Sequence, residues 1–220
     1  MKKIIIFGNE DFAEVAHFYF THDSPYDIVA FAVHERFIKN KELFDLPVVP
    51  FEKIETIYPP SEFSMFIAIA YSKINKLRAK MFEDAKSKGY HLVSYVNSKV
   101  TKWEEVKMGE NCFILEDVTI QPFVEFGDDV IVWSGNHIGH HSKIGNHCFI
   151  TSHVVISGNV QVGDYCFLGV NSTIRDGIKI ANHCVIGAGA VILKDTKEKE
   201  VYTMKGTELL SIQSDKLKHL

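Results

Sequence analysis

The stretch Ile138-Gly139-His140-His141-Ser142-Lys143-Ile144-Gly145-Asn146-His147-Cys148-Phe149-Ile150 returns an isoleucine every six residues. The same period runs outward in both directions without an insertion. It gives Met108, Ile114, Ile120, Phe126 and Val132 before this stretch, and Ile156, Val162, Leu168, Ile174, Ile180, Ile186 and Ile192 after it. Glycine follows the apolar residue at 109, 127, 139, 145, 163, 169 and 187, where a tight corner asks for a permissive backbone. Four residues after the apolar position the side chains are mostly small: Cys112, Val118, Val124, Val130, Cys148, Val154, Val160, Cys166, Cys184 and Ala190. The four cysteines share that slot, so their spacing belongs to the repeat and not to a zinc site or a disulfide framework. An α-helix cannot keep a six-residue period on one stripe, whereas a parallel β-helix with one short strand per hexad can.

This pattern resembles the hexapeptide-repeat, left-handed β-helix proteins. The resemblance implies that three hexads close one triangular coil of eighteen residues, so that the period from Met108 builds five coils. Stacking at eighteen residues then predicts an interior ladder of Ile120, Ile138, Ile156, Ile174 and Ile192, and another of inward-pointing cysteines with Val130 filling the gap. Proteins of this kind assemble as threefold homotrimers with ligand grooves between neighbouring prisms. Many transfer acyl groups, some bind zinc and some only organise complexes, so the fold does not choose among them.

Residues 1–97 read as a small Rossmann-like α/β domain with a parallel sheet. Lys2 to Gly8 is a buried strand ending at a glycine, Phe12, Val15, Ala16 and Tyr19 keep helical spacing, and Ile28 to Val33 is a second strand. A third strand is expected at Met65 to Ala70, a basic helix from about Asn75 to Lys88, and a last strand at His91 to Val96. The turn Gly8-Asn9-Glu10-Asp11-Phe12-Ala13 keeps one glycine of a G-x-G-x-x-G fingerprint, which argues against a dinucleotide. The β-helix is expected over 98–197, with a polar tail at 198–220. Across 220 residues the net charge is −4, which disfavours non-specific binding to nucleic acid. Apolar runs are far short of the roughly 20 residues that span a bilayer, and the start lacks the apolar core of a secretion signal. A soluble cytoplasmic protein with no membrane insertion is expected.

Six histidines lie in the repeat: His137, His140, His141, His147, His153 and His183. Of these, 141, 147, 153 and 183 share the third position after the apolar residue, an expected outward-facing, solvated corner. His147 and His183 fall on one face, but Ala188 stands where the zinc-binding members of this fold carry a further histidine, so no metal is expected.

The segment Trp133 to Gly145, together with Ile156-Ser157-Gly158-Asn159-Val160, Phe167-Leu168-Gly169-Val170-Asn171 and Ile186 to Val191, looks like the NeuD/PglD-like sugar acetyltransferases, and the likeness extends to the N-terminal domain. It implies an acetyl-CoA-dependent N-acetyltransferase acting on a nucleotide-linked amino-deoxysugar for surface-glycan synthesis. The alternatives are O-acetylation of a sugar or sialic acid, and a metal-binding or non-catalytic trimer. His140 matches the family's general base, and His141 stands where an acidic partner is usual, so orientation of His140 by a backbone carbonyl or a carboxylate elsewhere is expected. Phe149, Gly158, Val170 and Ala188 match acetyl-CoA contacts. Gly8, Asn9, Glu10, Asp11, Val33, His34, Ala70, Tyr71 and Ser72 match the nucleotide-sugar site, and Trp133 is a candidate for stacking on a sugar or base.

Overall fold

A computed structural model describes residues 2–209 and 211–214; the remainder of the expected tail lies outside the described residues. The N-terminal part is a five-stranded sheet in the order β3-β4-β2-β1-β5, with β1 at Lys2–Phe7, β2 at Tyr26–Val33, β3 at Glu42–Leu43, β4 at Leu46–Pro50 and β5 at Ser64–Ile67. All its pairs are parallel except the β3–β4 hairpin at the edge. Helix α1 (Asp11–His22) buries Phe12, Ala16 and Phe20 on one side, and a second long helix (Lys76–Ser87) buries Met81, Phe82 and Ala85 on the other. Both sheet faces are therefore covered, which explains the continuous apolar runs in β1 and β2.

The repeat forms a left-handed parallel β-helix. Each hexad gives a two-residue strand and a four-residue corner, and the strands stack into three flat sheets. Face I holds seven strands from Tyr95–Val96 to Val201–Tyr202, face II five from Thr119–Ile120 to Val191–Ile192, and face III five from Lys107–Met108 to Lys179–Ile180. The eighteen-residue register is observed directly: Ile120, Ile138, Ile156, Ile174 and Ile192 are successive partners and all buried. The four cysteines are wholly buried as free thiols, and burial pushes the Cys112 thiol up to about 12, so they act as small apolar filling. Removing part of the isoleucine ladder leaves a void between coils. Ile156→Ala is expected to lower unfolding free energy by about 2–5 kcal/mol, read from urea denaturation.

Three local expectations change. Glycine after the apolar residue does not serve positive φ; that conformation falls two residues later, at Asn111, Asp117, Asp129, His141, Asn159 and their equivalents. The glycine is needed because the next coil is too close: a Cβ on Gly139 would lie 2.5 Å from the Ser157 carbonyl carbon. Residues 91–96 do not complete the α/β sheet. Leu92 makes one bridge to Met65, and Tyr95–Val96 already pairs with Phe113–Ile114 at the eighteen-residue register, so the prism begins before residue 98. The tail also returns to the prism, where Val201–Tyr202 pairs with Val185–Ile186 and adds a last strand to face I.

The α/β domain sits on face I. Phe12, Phe20 and Phe66 pack into Tyr95, Phe113, Ile131 and Phe149. At the corner between faces III and I the seam is polar and buried. Arg78, fully buried, donates through Nε to Asp129 Oδ1 (3.0 Å), through Nη2 to the carbonyls of Asp129 and Cys148, and through Nη1 to the Ala70 carbonyl and Asn75 Oδ1. All the guanidinium hydrogens are thus engaged. Asn111 and His147 donate to the same Asp129 carboxylate, at 2.8 and 2.9 Å. His147 is only 7 % exposed, between Phe82 and Tyr165, so the solvated corner expected for it is not what the structure shows. The approach of the basic helix covers this corner.

Candidate functional site

The carboxyl ends of β1, β2 and β5 open on a cavity of about 730 Å³. This is where open α/β sheets leave a crevice for ligands. Gly8, Asn9, Glu10, Asp11, Val33, His34 and Ala70, all singled out from sequence, line it. Gly8 has φ +135°, and a Cβ there would lie 2.6 Å from the Ala68 carbonyl oxygen, so the turn requires glycine. Sequence reasoning missed Phe37, Lys39, Leu77 and Met81, which close the far side; they stand on a loop and a helix with no motif to mark them. Lys39 pairs with Glu10 at 3.2 Å. His34 Nδ1 lies 2.9 Å from Glu52 Oε1. Burial acts to raise the Glu52 carboxyl, but hydrogen bonds, including those from the Glu35 N–H and His34, outweigh it and hold it below the usual range.

Tyr71 and Ser72 do not line this cavity. Tyr71 is exposed but leans on the prism, its ring 5.1 Å from Phe149 and 5.0 Å from Phe167. One further expectation is corrected here. Phe149 is 2 % exposed and enclosed by Phe12, Trp133, Tyr71 and Phe167, so its side chain is a wall of the domain seam and not an open cofactor contact. Trp133, half-buried, packs on Phe12 and Phe149 at the edge of the same seam, with its indole N–H buried and, among the described residues, without a partner.

His140 lies elsewhere, on the corner between faces II and III, with its side chain exposed. Its backbone N–H donates to Gln121 Oε1 of the preceding coil (2.9 Å), and its carbonyl accepts from Asn159 of the next. Its Nδ1 is 3.1 Å from His141 Nδ1, so the imidazole expected to need a backbone or carboxylate partner is met by its own neighbour. His141 occupies the positive-φ corner position and its ring packs on Phe123 at 4.6 Å. On the next rung Gly158 leaves room for the His140 ring: a Cβ there would lie 2.7 Å from both Cε1 and Nε2. Val170 and Ala188, both exposed, stack on the corner between faces I and II. Apart from Ser72, the predicted residues thus form four groups: the α/β cavity over face I, Tyr71 with Phe149 and Trp133 in the domain seam, His140 with His141 and Gly158 on one corner, and Val170 with Ala188 on another. Among the described residues no group of three or more His, Cys, Asp or Glu side chains could hold a metal ion, and no helix is long and apolar enough to cross a membrane.

Residues 124–158 and 159–194 match the family model "Bacterial transferase hexapeptide (six repeats)". No curated protein sequence matches the chain. Among solved structures, the acetyltransferase domain of PglB from Neisseria gonorrhoeae is 19 % identical over 91 % of this chain and 96 % of its own, with a TM-score of 0.81. The same domain in complex with acetyl coenzyme A gives 18 %, 91 %, 95 % and 0.80. PerB from Caulobacter crescentus, in complex with CoA and GDP-perosamine, is 23 % identical over 90 % of this chain and 92 % of its own, at 0.79. At these identities the likeness is one of fold, and it takes in both the α/β domain and the prism.

Proposed function

We propose that this chain is an acetyl-CoA-dependent N-acetyltransferase acting on a nucleotide-linked amino-deoxysugar in surface-glycan synthesis, working in the cytoplasm as a homotrimer. The observation that carries the reading is the pairing, in one chain, of a crevice-bearing α/β domain with a hexapeptide prism that presents an exposed, tethered histidine on a bare corner. The fold neighbours bound to acetyl coenzyme A, and to CoA with GDP-perosamine, support the choice of co-substrate and acceptor class.

The cavity lies over face I and His140 on the opposite corner, so one copy does not bring them together. Face II, between the corner of Val170 and that of His140, is exposed and apolar at Val155 and Val191, with Leu193 at its edge. A second prism packed there buries this stripe and sets one copy's Val170 and Ala188 beside the other's His140 and Gly158. Acetyl-CoA occupies that groove and the α/β cavity holds the nucleotide. The acceptor nitrogen, as a neutral amine, attacks the thioester carbonyl carbon. His140 Nε2 takes the proton that nitrogen sheds, the C–S bond breaks, and the thiolate leaves as the thiol after taking a proton. For Nε2 to be free as the base, Nδ1 carries hydrogen and donates to His141 Nδ1, which makes His141 a positioning residue.

That role predicts a graded result. His141→Ala lowers kcat about tenfold or more with little change in either KM, since orientation alone is lost. His141→Glu, which offers an acceptor at the same place, recovers most of the loss, whereas equal activity in all three proteins removes His141 from the mechanism. The function itself is tested by mixing the protein with acetyl-CoA and GDP-, UDP- and dTDP-linked amino-deoxyhexoses and following thiol release. Their hydroxyl counterparts in parallel separate N- from O-transfer, and light scattering reads the assembly. No turnover across the amine panel overturns the proposal.

A further inference from the structure

The rung beyond Gly158 on the His140 corner is Asp176. The Asp176 Oδ1 is 2.9 Å from the point a Gly158 Cβ would occupy, and His140 Nε2 is 2.7 Å from the same point. An imidazole nitrogen and a carboxylate oxygen from coils on either side thus converge above the Gly158 Cα, closer than any side chain at 158 would allow. They do not satisfy each other: among the described residues no hydrogen bond or ion pair joins them, and Asp176 makes none to any other group. Two acceptors separated by no more than about two hydrogen-bond lengths are placed to share one small donor with at least two hydrogens. A neutral hydroxyl has one hydrogen and serves one of them. A protonated amine has three, carries the charge a carboxylate prefers, and serves both.

We propose that Asp176 is the specificity residue for the acceptor nitrogen: its carboxylate binds the sugar's ammonium group on the exposed side of the Gly158 corner, between Asp176 Oδ1 and His140 Nε2. This rests on the N-acetyltransferase reading and deepens it by saying how an amine is told from a hydroxyl. The ammonium docks on Asp176 Oδ1 and loses one proton to solvent, becoming the neutral amine held against His140 Nε2. Its lone pair then forms the C–N bond to the thioester carbonyl carbon as the C–S bond breaks. The nitrogen sheds a second hydrogen to His140 Nε2, leaving the amide N–H, and the thiolate takes up that proton from His140. Overall, ammonium and acetyl-CoA give amide, free thiol and one proton, and the Asp176 carboxylate is unchanged.

The test compares the wild type with Asp176→Asn, which keeps shape and removes charge. Calorimetry with CoA present measures binding of the GDP-, UDP- and dTDP-linked amino-deoxyhexoses against the same sugars bearing hydroxyl in place of the amine. The wild type is expected to prefer the best amine at least about tenfold over its hydroxyl counterpart, and Asp176→Asn to bind the two alike. In turnover the variant's KM for the amine rises by a similar factor, while its KM for acetyl-CoA does not move. Retained amine preference in Asp176→Asn overturns the assignment, as does a fall in kcat with unchanged KM for the amine, since that places the effect on His140 instead. If the wild type turns over an amino sugar and the variant matches it, this inference fails and the enzyme reading stands. If the wild type neither binds nor acetylates any member of the panel, both fall together.

Discussion

Replacing His140 by alanine is expected to lower kcat by about 10²- to 10⁴-fold and leave the fold and assembly intact. The two halves of that expectation come from different observations. The side chain is exposed and packs into no core, so its removal belongs to the class of surface changes with effects within about 0.5 kcal/mol. The corner itself is held by backbone bonds, from the His140 N–H to Gln121 and from the Asn159 N–H to the His140 carbonyl, and these survive the substitution. The chemical loss lies toward the lower end if the acceptor is an amine, which attacks without much help once neutral. It lies toward the upper end for a hydroxyl, which needs its proton taken as it attacks. Steady-state kinetics beside light scattering decide the matter. An unimpaired His140→Ala protein of normal size would remove the proposed base.

The largest effect on stability is expected at Arg78, far from that chemistry. Arg78→Met keeps the length and apolar stem of the side chain but strips five donors from buried acceptors, with the Asp129 carboxylate foremost among them. Breaking one side of a buried ion pair costs about 3–5 kcal/mol, because the remaining charge stays out of water without its partner. Asn111 and His147 still donate to Asp129, which keeps the expected loss within that range. Urea denaturation reads it directly. The double variant Arg78→Met with Asp129→Leu is expected to be less destabilised than Arg78→Met alone, because no charge is then stranded. A double variant worse than the single would show that the network acts through packing and not through charge.

What the amino-acid order revealed depended on repetition. The interior of the prism presents the same environment every eighteen residues, so Ile120, Ile138, Ile156, Ile174 and Ile192 mark themselves by recurrence. The α/β cavity was legible for a related reason: strand ends and the Gly8 turn carry local signals. The domain seam has neither property. Asp129 looks like any polar corner residue until Arg78, 51 positions earlier, is placed against it. One signal was available, since Arg78 falls on the stripe of its helix shared with Phe82 and Ala85, where a charge is out of place unless it has a buried partner. Phe149 was misread because a periodic pattern tells inside from outside, but not which outside surface a second domain covers.

The returning strand at Val201–Tyr202 bears on how far the molecule can grow. A stack of parallel coils ends in a row of amide and carbonyl groups that another stack could extend, and nothing in the repeat itself tells it to stop. Here two faces of the final coil are covered by the chain's own later segment: Val185 and Gly187 donate to the Glu200 and Tyr202 carbonyls on face I, and Thr196 donates back to Lys179 on face III. The two-residue shortfall in that last register, Val185 to Val201, puts the cover out of step with the helix below it. A cover of this kind opposes end-to-end growth at those two faces, and a chain cut after Leu193 is expected to expose them as a template for polymers.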